Sequence, residues 1–147
     1  MKVFLDTNVL ASAIGTRGLC RDIVESVLEA HELIISPTLL SELERTLRKK
    51  FGFPPDLVAK WRELLSAEST RAFASAPLQL SLKDRSDIIL LSDAVTGEAS
   101  LFVTGDKELL KLEPLETMEI ISPRAYWERF NPRRAAADQR APSRKGR

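Results

Sequence analysis

Short apolar runs alternate with longer amphipathic stretches along most of the chain. Four runs are apolar enough to form buried strands, and they lie at residues 3–5, 33–35, 101–103 and 118–121. Short strands separated by helical stretches are typical of an α/β fold with a parallel sheet. Residues 78–82 alternate apolar and polar side chains and form a weaker candidate for an edge strand. The pattern therefore predicts an α/β fold with a parallel sheet of four to five strands flanked by helices.

The stretches between these runs predict amphipathic helices. Apolar residues recur there at three- and four-residue spacing: Ile23, Val24, Val27 and Leu28; Leu39, Leu40, Leu43 and Leu47; Leu57, Val58, Trp61, Leu64 and Leu65; and Ile88, Leu91, Ala94 and Val95. Ser36-Pro37 and Ser122-Pro123 are typical helix starts, with serine as the N-cap and proline at the first helical position. We expect the last of these helices to pack on the domain through Tyr126, Trp127 and Phe130.

Charge divides the chain into two parts. Residues 131–147 contain six basic side chains and one acid, a net charge of +5, so the overall charge of +1 leaves −4 on residues 1–130. We interpret residues 1–130 as one domain and residues 131–147 as a basic, disordered tail. Such a tail is able to bind nucleic acid through Arg133, Arg134 and Arg140, although a solvated terminus is an equally good explanation of the charge.

Two classes of function are disfavoured by composition. The sequence has no apolar run of about 18 residues, and the N-terminal apolar run is interrupted at Asp6, so we expect no membrane segment and a cytoplasmic location. Cys20 is the only cysteine and His31 the only histidine, which excludes an intramolecular disulfide and a thiolate zinc site and disfavours a Cys–His nucleophile.

Carboxylates follow two of the predicted strands. Asp6 comes directly after residues 3–5, and Asp106 follows residues 101–103 with two residues between. Ligands of open parallel sheets bind at the carboxyl ends of the strands, so acids at these positions carry functional weight. Asp87 lies at the start of a predicted helix, and Glu42 lies about one and a half turns into another. Taken singly, the aspartates are equally well explained as helix caps, and Glu42 as a surface residue.

The combination of these acids favours a metal site. Carboxylates gathered at one end of a sheet repel one another and are stable at neutral pH only when protonated or neutralised by a cation. A set of oxygen ligands without cysteine suits Mg²⁺ or Mn²⁺ better than zinc. Two such ions are able to activate a water molecule and stabilise the leaving oxygen of a phosphodiester.

The motifs around these acids resemble those of PIN domains, and most closely those of VapC-like toxins. The resemblance rests on residues 4–10 (FLDTNVL), on Ile35-Ser36-Pro37 leading to Glu42, on Asp84 and Asp87, and on residues 101–110 (LFVTGDKELL). It implies a three-layer PIN-like fold and a divalent-metal-dependent endoribonuclease with Asp6, Glu42, Asp87 and Asp106 as catalytic metal ligands. It also implies that Asn8 and Thr104 orient the carboxylates, that the chain forms a homodimer, and that a cognate antitoxin inhibits it.

Three alternatives remain open. The third ligand is Asp84 rather than Asp87 if the chain departs from the usual pattern of the family, and Asp93 is a less favoured candidate because it lies about 240° around the helix from Asp87. A second alternative is a PIN-like scaffold that binds RNA or protein without cutting RNA. A haloacid-dehalogenase-type phosphatase also has an aspartate after its first strand, but it requires a second aspartate where this chain has Asn8.

Overall fold

A parallel sheet forms the centre of the fold in the computed structural model, which describes residues 1–133 and 137. The described residues contain five strands, and all neighbouring strands run parallel in the order β3-β2-β1-β4-β5. The strands are β1 (Lys2–Leu5), β2 (Glu32–Ile35), β3 (Ser69–Arg71), β4 (Leu101–Val103) and β5 (Glu119–Ile121). The prediction of a parallel sheet of four to five strands is confirmed.

Seven helices connect and cover the strands within the same described residues. They are α1 (Thr7–Gly15), α2 (Leu19–Ala30), α3 (Pro37–Lys49), α4 (Pro55–Ala67), α5 (Arg85–Thr96), α6 (Lys107–Leu110) and α7 (Pro123–Phe130). The chain moves across the sheet in one direction from β1 to β3 and returns to β4 through α5. Right-handed crossovers therefore place α1 to α4 on one face of the sheet and α5 on the other, which gives three layers.

The central strands are buried because helices cover both faces. Every residue of β4 is buried, as are the last three residues of both β1 and β2. Phe4 and Phe102 are fully buried on these neighbouring strands and stack with their ring centroids 5.2 Å apart. Such strands appear in sequence as continuous apolar runs, which is why they could be predicted.

Capping side chains set the starts of two predicted helices. Ser36 Oγ accepts a hydrogen bond from Leu39 N at 3.2 Å, and Ser122 Oγ accepts one from Ala125 N at 3.1 Å. A proline follows each serine, as predicted. In α7, Tyr126 and Trp127 are buried, and the Tyr126 hydroxyl lies 2.9 Å from Ser26 Oγ of α2. The expected packing of this helix on the domain is confirmed.

The prediction of a strand at residues 78–82 is wrong. The edge strand is β3, and residues 78–82 form an irregular segment. The backbone N–H of Leu78 donates to Ser92 Oγ of α5 at 2.8 Å instead of to a neighbouring strand. Leu80 and Leu82 pack partly against the core, which accounts for the alternation without a strand. β3 was missed because its sequence is polar and its pairing with β2 depends on backbone hydrogen bonds.

Two further expectations concern the Cys20–His31 pair and membrane-spanning helices. Cys20 lies near the start of α2 and His31 caps its end, so the helix separates them by roughly 16 Å and they cannot form a catalytic pair. Among the described residues, every helix is too short or too polar to cross a membrane.

Candidate metal centre

The direction of chain crossover reverses between β1 and β4, and this creates a site at the carboxyl edge of the sheet. β1 connects to β2 on one side, whereas its other neighbour, β4, is reached only after the chain returns across the sheet. The ends of these two strands are joined by the hydrogen bond from Asp6 N to Val103 O, at 2.9 Å. Ligands of open α/β sheets bind at such a switch point. Asp6 and Asp106 follow the two strands that form it.

Asp6 is buried at the end of β1 and is held by two donors. Its Oδ1 accepts from Thr7 N at 2.8 Å, and its Oδ2 accepts from the Thr104 hydroxyl at 2.7 Å. Burial raises the pKa of Asp6 above its ordinary value, because desolvation disfavours the charged form. The two hydrogen bonds lower the pKa in part, and the nearby charges of Asp106 and Asp84 raise it further.

Asp106 caps α6 and is connected to Asp6 through Thr104. Its Oδ1 accepts from Glu108 N at 2.8 Å, and its own backbone N donates to Thr104 Oγ1 at 3.0 Å. The Thr104 hydroxyl therefore accepts from one acidic residue and donates to the other. Asp106 is thus a helix cap, and its second carboxylate oxygen has no donor among the described residues.

Glu42 approaches the same site from α3. Burial raises its pKa, the charges of Asp6 and Asp84 raise it further, and the charge of Arg45 lowers it in part. Glu42 Oε2 and Thr7 Oγ1 are both buried, yet neither has a partner with hydrogen-bond geometry in residues 1–133 and 137. A buried carboxylate oxygen without a donor is costly, and a cation is one group that would satisfy it.

Asp87, in the first turn of α5, is influenced by every other acid of the group. Its pKa is raised to about 6, first by burial and then by the charges of Asp84, Asp6, Asp106 and Glu42. The structure thus brings together five carboxylates, which we call the acidic cluster: Asp6, Glu42, Asp84, Asp87 and Asp106. Their shared effect on the pKa of Asp87 shows that they are close enough to interact.

Both candidates for the third ligand belong to the acidic cluster. Asp84 caps α5, with its Oδ1 accepting from Ser86 N at 2.8 Å, and its charge raises the pKa of Asp6, Glu42 and Asp87. Asp93 lies outside the cluster. Its side chain is buried, its Oδ1 accepts from Ala74 N at 2.7 Å, and it does not contribute to the raised pKa of any cluster member.

The chemistry of the acidic cluster fits a hard divalent cation. All of its side-chain donors are carboxylate oxygens, which Mg²⁺ and Mn²⁺ prefer. As the side chains stand, no three acidic, histidine or cysteine residues in the described part of the chain are placed to hold one ion. Like charges favour separated carboxylates until a cation neutralises them, so binding would require side-chain rotation toward the ion.

The remaining predicted residues differ in position. Asn8 is exposed on α1, and its side chain makes no hydrogen bond to any carboxylate among the described residues. Arg133 is exposed, while Arg134 and Arg140 lie outside the described residues. Sequence reasoning did not single out Thr7, whose backbone N–H donates to Asp6, or Arg45, whose charge lowers the pKa of Glu42. For Arg45 the available signal was spacing, because it lies three residues after Glu42 on the same helix face.

Comparison with known proteins agrees with this architecture. A PIN domain family model matches residues 2–108 of the chain. A chain in the crystal structure of VapBC2 from Rickettsia felis bound to a DNA fragment from their promoter has a similar fold, with a TM-score of 0.60. That similarity covers 83% of this chain and 98% of the other at 16% sequence identity. A comparison with curated protein sequences finds no significant match. Since the family model covers well over half of the chain, this protein belongs to the PIN domain family.

Proposed function

We propose that the protein is a divalent-metal-dependent endoribonuclease that hydrolyses RNA phosphodiester bonds and acts as the toxin of a toxin–antitoxin pair. The observation that carries the proposal is the acidic cluster, in which four carboxylates together with burial raise the pKa of Asp87 to about 6. Membership of the PIN family and the fold shared with a chain of VapBC2 support the class of activity.

Asp6, Glu42, Asp106 and Asp87 would hold Mg²⁺ or Mn²⁺, with Asp84 as the alternative to Asp87. When bound, the metal would activate a water molecule for attack on phosphorus and stabilise the leaving oxygen. Attack forms a new P–O bond while the bond to the leaving ribose oxygen breaks, and that oxygen takes up a proton. Phosphodiester hydrolysis of this kind requires no nucleophilic side chain, which agrees with a site built from carboxylates.

Hydrogen bonds from Thr104 and Thr7 would hold the Asp6 carboxylate in position for a metal ion. The Thr104 hydroxyl donates to Asp6 Oδ2 at 2.7 Å, and Thr7 N donates to Asp6 Oδ1 at 2.8 Å, so both oxygens of Asp6 have a defined orientation. Outer hydrogen bonds of this kind fix the direction of a metal-binding carboxylate. Exposed Asn8 would join them only on binding of metal or substrate.

The proposal extends to partners and location. The resemblance to VapC-like toxins favours a cognate antitoxin, a homodimer and action in the cytoplasm. VapBC2 of Rickettsia felis was crystallised bound to a DNA fragment from their promoter. By analogy, this chain would associate with an antitoxin that holds it inactive, and RNA would be its substrate.

The test is cleavage of a mixed single-stranded RNA by the purified chain without a partner. We expect cleavage with Mg²⁺ or Mn²⁺, none with EDTA, and none with Asp6→Asn. Asp93→Asn is the matched control, because it replaces a buried aspartate outside the acidic cluster with a residue that still accepts from Ala74 N. It is expected to retain metal-dependent cleavage.

A catalytically silent PIN-like module is the competing function, and it is favoured by the lack of three acids in ligating position in the described residues. A rise in melting temperature with Mn²⁺ separates the two, because a ligand that binds only the folded state stabilises it. Absence of both cleavage and a Mn²⁺-induced rise would establish the silent module. A rise without cleavage would mean that the metal site is present and the RNA tested is not the substrate.

A further inference from the structure

One exposed aromatic side chain lies at the same edge of the sheet as the acidic cluster. Phe73 is 68% exposed, more than any other large hydrophobic side chain in the described residues. It follows β3 by two residues and begins the irregular segment that leads to α5. Neither the fold nor the metal site accounts for an aromatic ring at this position.

The strand register relates Phe73 to Asp6. Phe4 pairs with Ile34, and Ile34 pairs with Thr70, so these residues form one row across three strands. Two residues after Phe4 the chain reaches Asp6, and two residues after Thr70 it reaches Ala72. Ala72 therefore lies level with Asp6 and two strand spacings away, about 10 Å. Phe73 is the next residue of the chain.

The backbone around Phe73 is held on both sides. Ala72 N donates to Ile35 O at 2.8 Å, and Ala74 N donates to the buried Asp93 carboxylate at 2.7 Å. Close packing also restrains the segment, because a Cβ at Gly97 would come within 2.8 Å of the Ala72 Cβ. The ring is thus exposed on a restrained backbone, and a contact made by it would cost little additional ordering.

We propose that Phe73 stacks on a base of single-stranded RNA whose scissile phosphate lies at the acidic cluster. The inference rests on the proposed function and names a positioning residue for its substrate. Unstacked bases of single-stranded RNA are bound by exposed aromatic rings, and neighbouring cations contact the backbone. The exposed Arg71, two residues before Phe73, supplies such a cation. Because the backbone of the preceding residue, Ala72, lies about 10 Å from Asp6, a base stacked on Phe73 would belong to a nucleotide close to the one being cut.

The test compares steady-state cleavage of a short single-stranded RNA by the wild type, Phe73→Ala and Phe73→Tyr. We expect Phe73→Ala to raise KM by roughly 5- to 160-fold, since stacking contributes about that range per base, while kcat stays unchanged. Phe73→Tyr is expected to retain the wild-type KM because its ring also stacks. Leu64→Ala is the matched control, as Leu64 is a 52% exposed apolar residue on α4, and KM should not change.

Each other outcome has a distinct meaning. If the wild type cleaves RNA and Phe73→Ala has an unchanged KM, or if Phe73→Tyr shows the same defect as Phe73→Ala, base stacking is wrong and the nuclease function stands. If Phe73→Ala alters only the elution volume in gel filtration, the ring contacts protein and the proposal is overturned. If the wild type neither cleaves RNA nor shows a rise in melting temperature with Mn²⁺, the proposed function fails, and the role of Phe73 fails with it.

Discussion

The Thr104 hydroxyl donates a hydrogen bond to Asp6 Oδ2 at 2.7 Å, joining residues that are 98 positions apart in the chain. Both residues lie just past the ends of paired strands, β1 and β4. The same hydroxyl accepts from Asp106 N at 3.0 Å. One threonine thus couples the two aspartates that follow the central strands, and its removal would affect both.

Replacement of Thr104 by valine tests this coupling. Valine keeps the branched shape but leaves Asp6 Oδ2 and Asp106 N without their partner. We expect Mn²⁺ affinity and RNA cleavage to fall by about 10- to 100-fold, the usual effect of losing an outer hydrogen bond to a metal ligand. Thr104→Ser retains the hydroxyl and should remain within a few-fold of the wild type. Equal losses in both variants, measured by Mn²⁺ titration, would show that packing and not the hydrogen bond is responsible.

The raised pKa of Asp87 predicts a dependence of stability on pH. The pKa is about 6 in the folded protein against an ordinary value of 3.8. The folded state therefore binds the proton more tightly than the unfolded state, and this contribution to stability is lost as the pH rises from about 4 to above 6. In EDTA, Asp87→Asn should raise the melting temperature at pH 8 and have a much smaller effect below pH 4. A decrease at pH 8 would contradict the repulsion inferred for the acidic cluster.

Gly97 packs where α5 approaches the sheet. A Cβ at this position would lie 2.8 Å from both the Ala72 Cβ and Ile34 Cγ2. We expect Gly97→Ala to destabilise the protein by about 1–3 kcal/mol, the usual cost of overpacking. Gly105→Ala is the control for stability, because its Cβ would meet nothing within 4 Å, and its effect should stay below about 1 kcal/mol. Urea unfolding of both variants provides the comparison.

The basic tail predicts a salt-dependent contribution to RNA binding. Truncation after Arg133 removes five basic residues and one acid. If the tail contacts phosphates, its loss should reduce the slope of log affinity against log salt, by about 0.7 for each contact with single-stranded RNA. An identical slope in the full chain and the truncated chain would assign the tail a solvating role.

Much of the fold could be predicted because burial leaves a direct pattern in the sequence. The runs that became β1, β2 and β4 are apolar throughout since both faces of the sheet are covered. The Ser-Pro pairs at Ser36 and Ser122 marked helix starts because capping is a local interaction. β3 could not be predicted, since its polar residues are placed by hydrogen bonds to β2 rather than by their own burial.

The acidic cluster likewise combines features that the sequence determined with features that only the tertiary structure decided. The sequence by itself determined which residues carry carboxylates and that Asp6 and Asp106 follow strands, because each of these is a matter of local order. Only the tertiary structure decided that Glu42, Asp84 and Asp87 join them, and that Asp93 is engaged by Ala74 instead. The reason is that electrostatic repulsion and desolvation depend on distances between α3, α5 and the strand ends, which the packing of the helices around the sheet establishes.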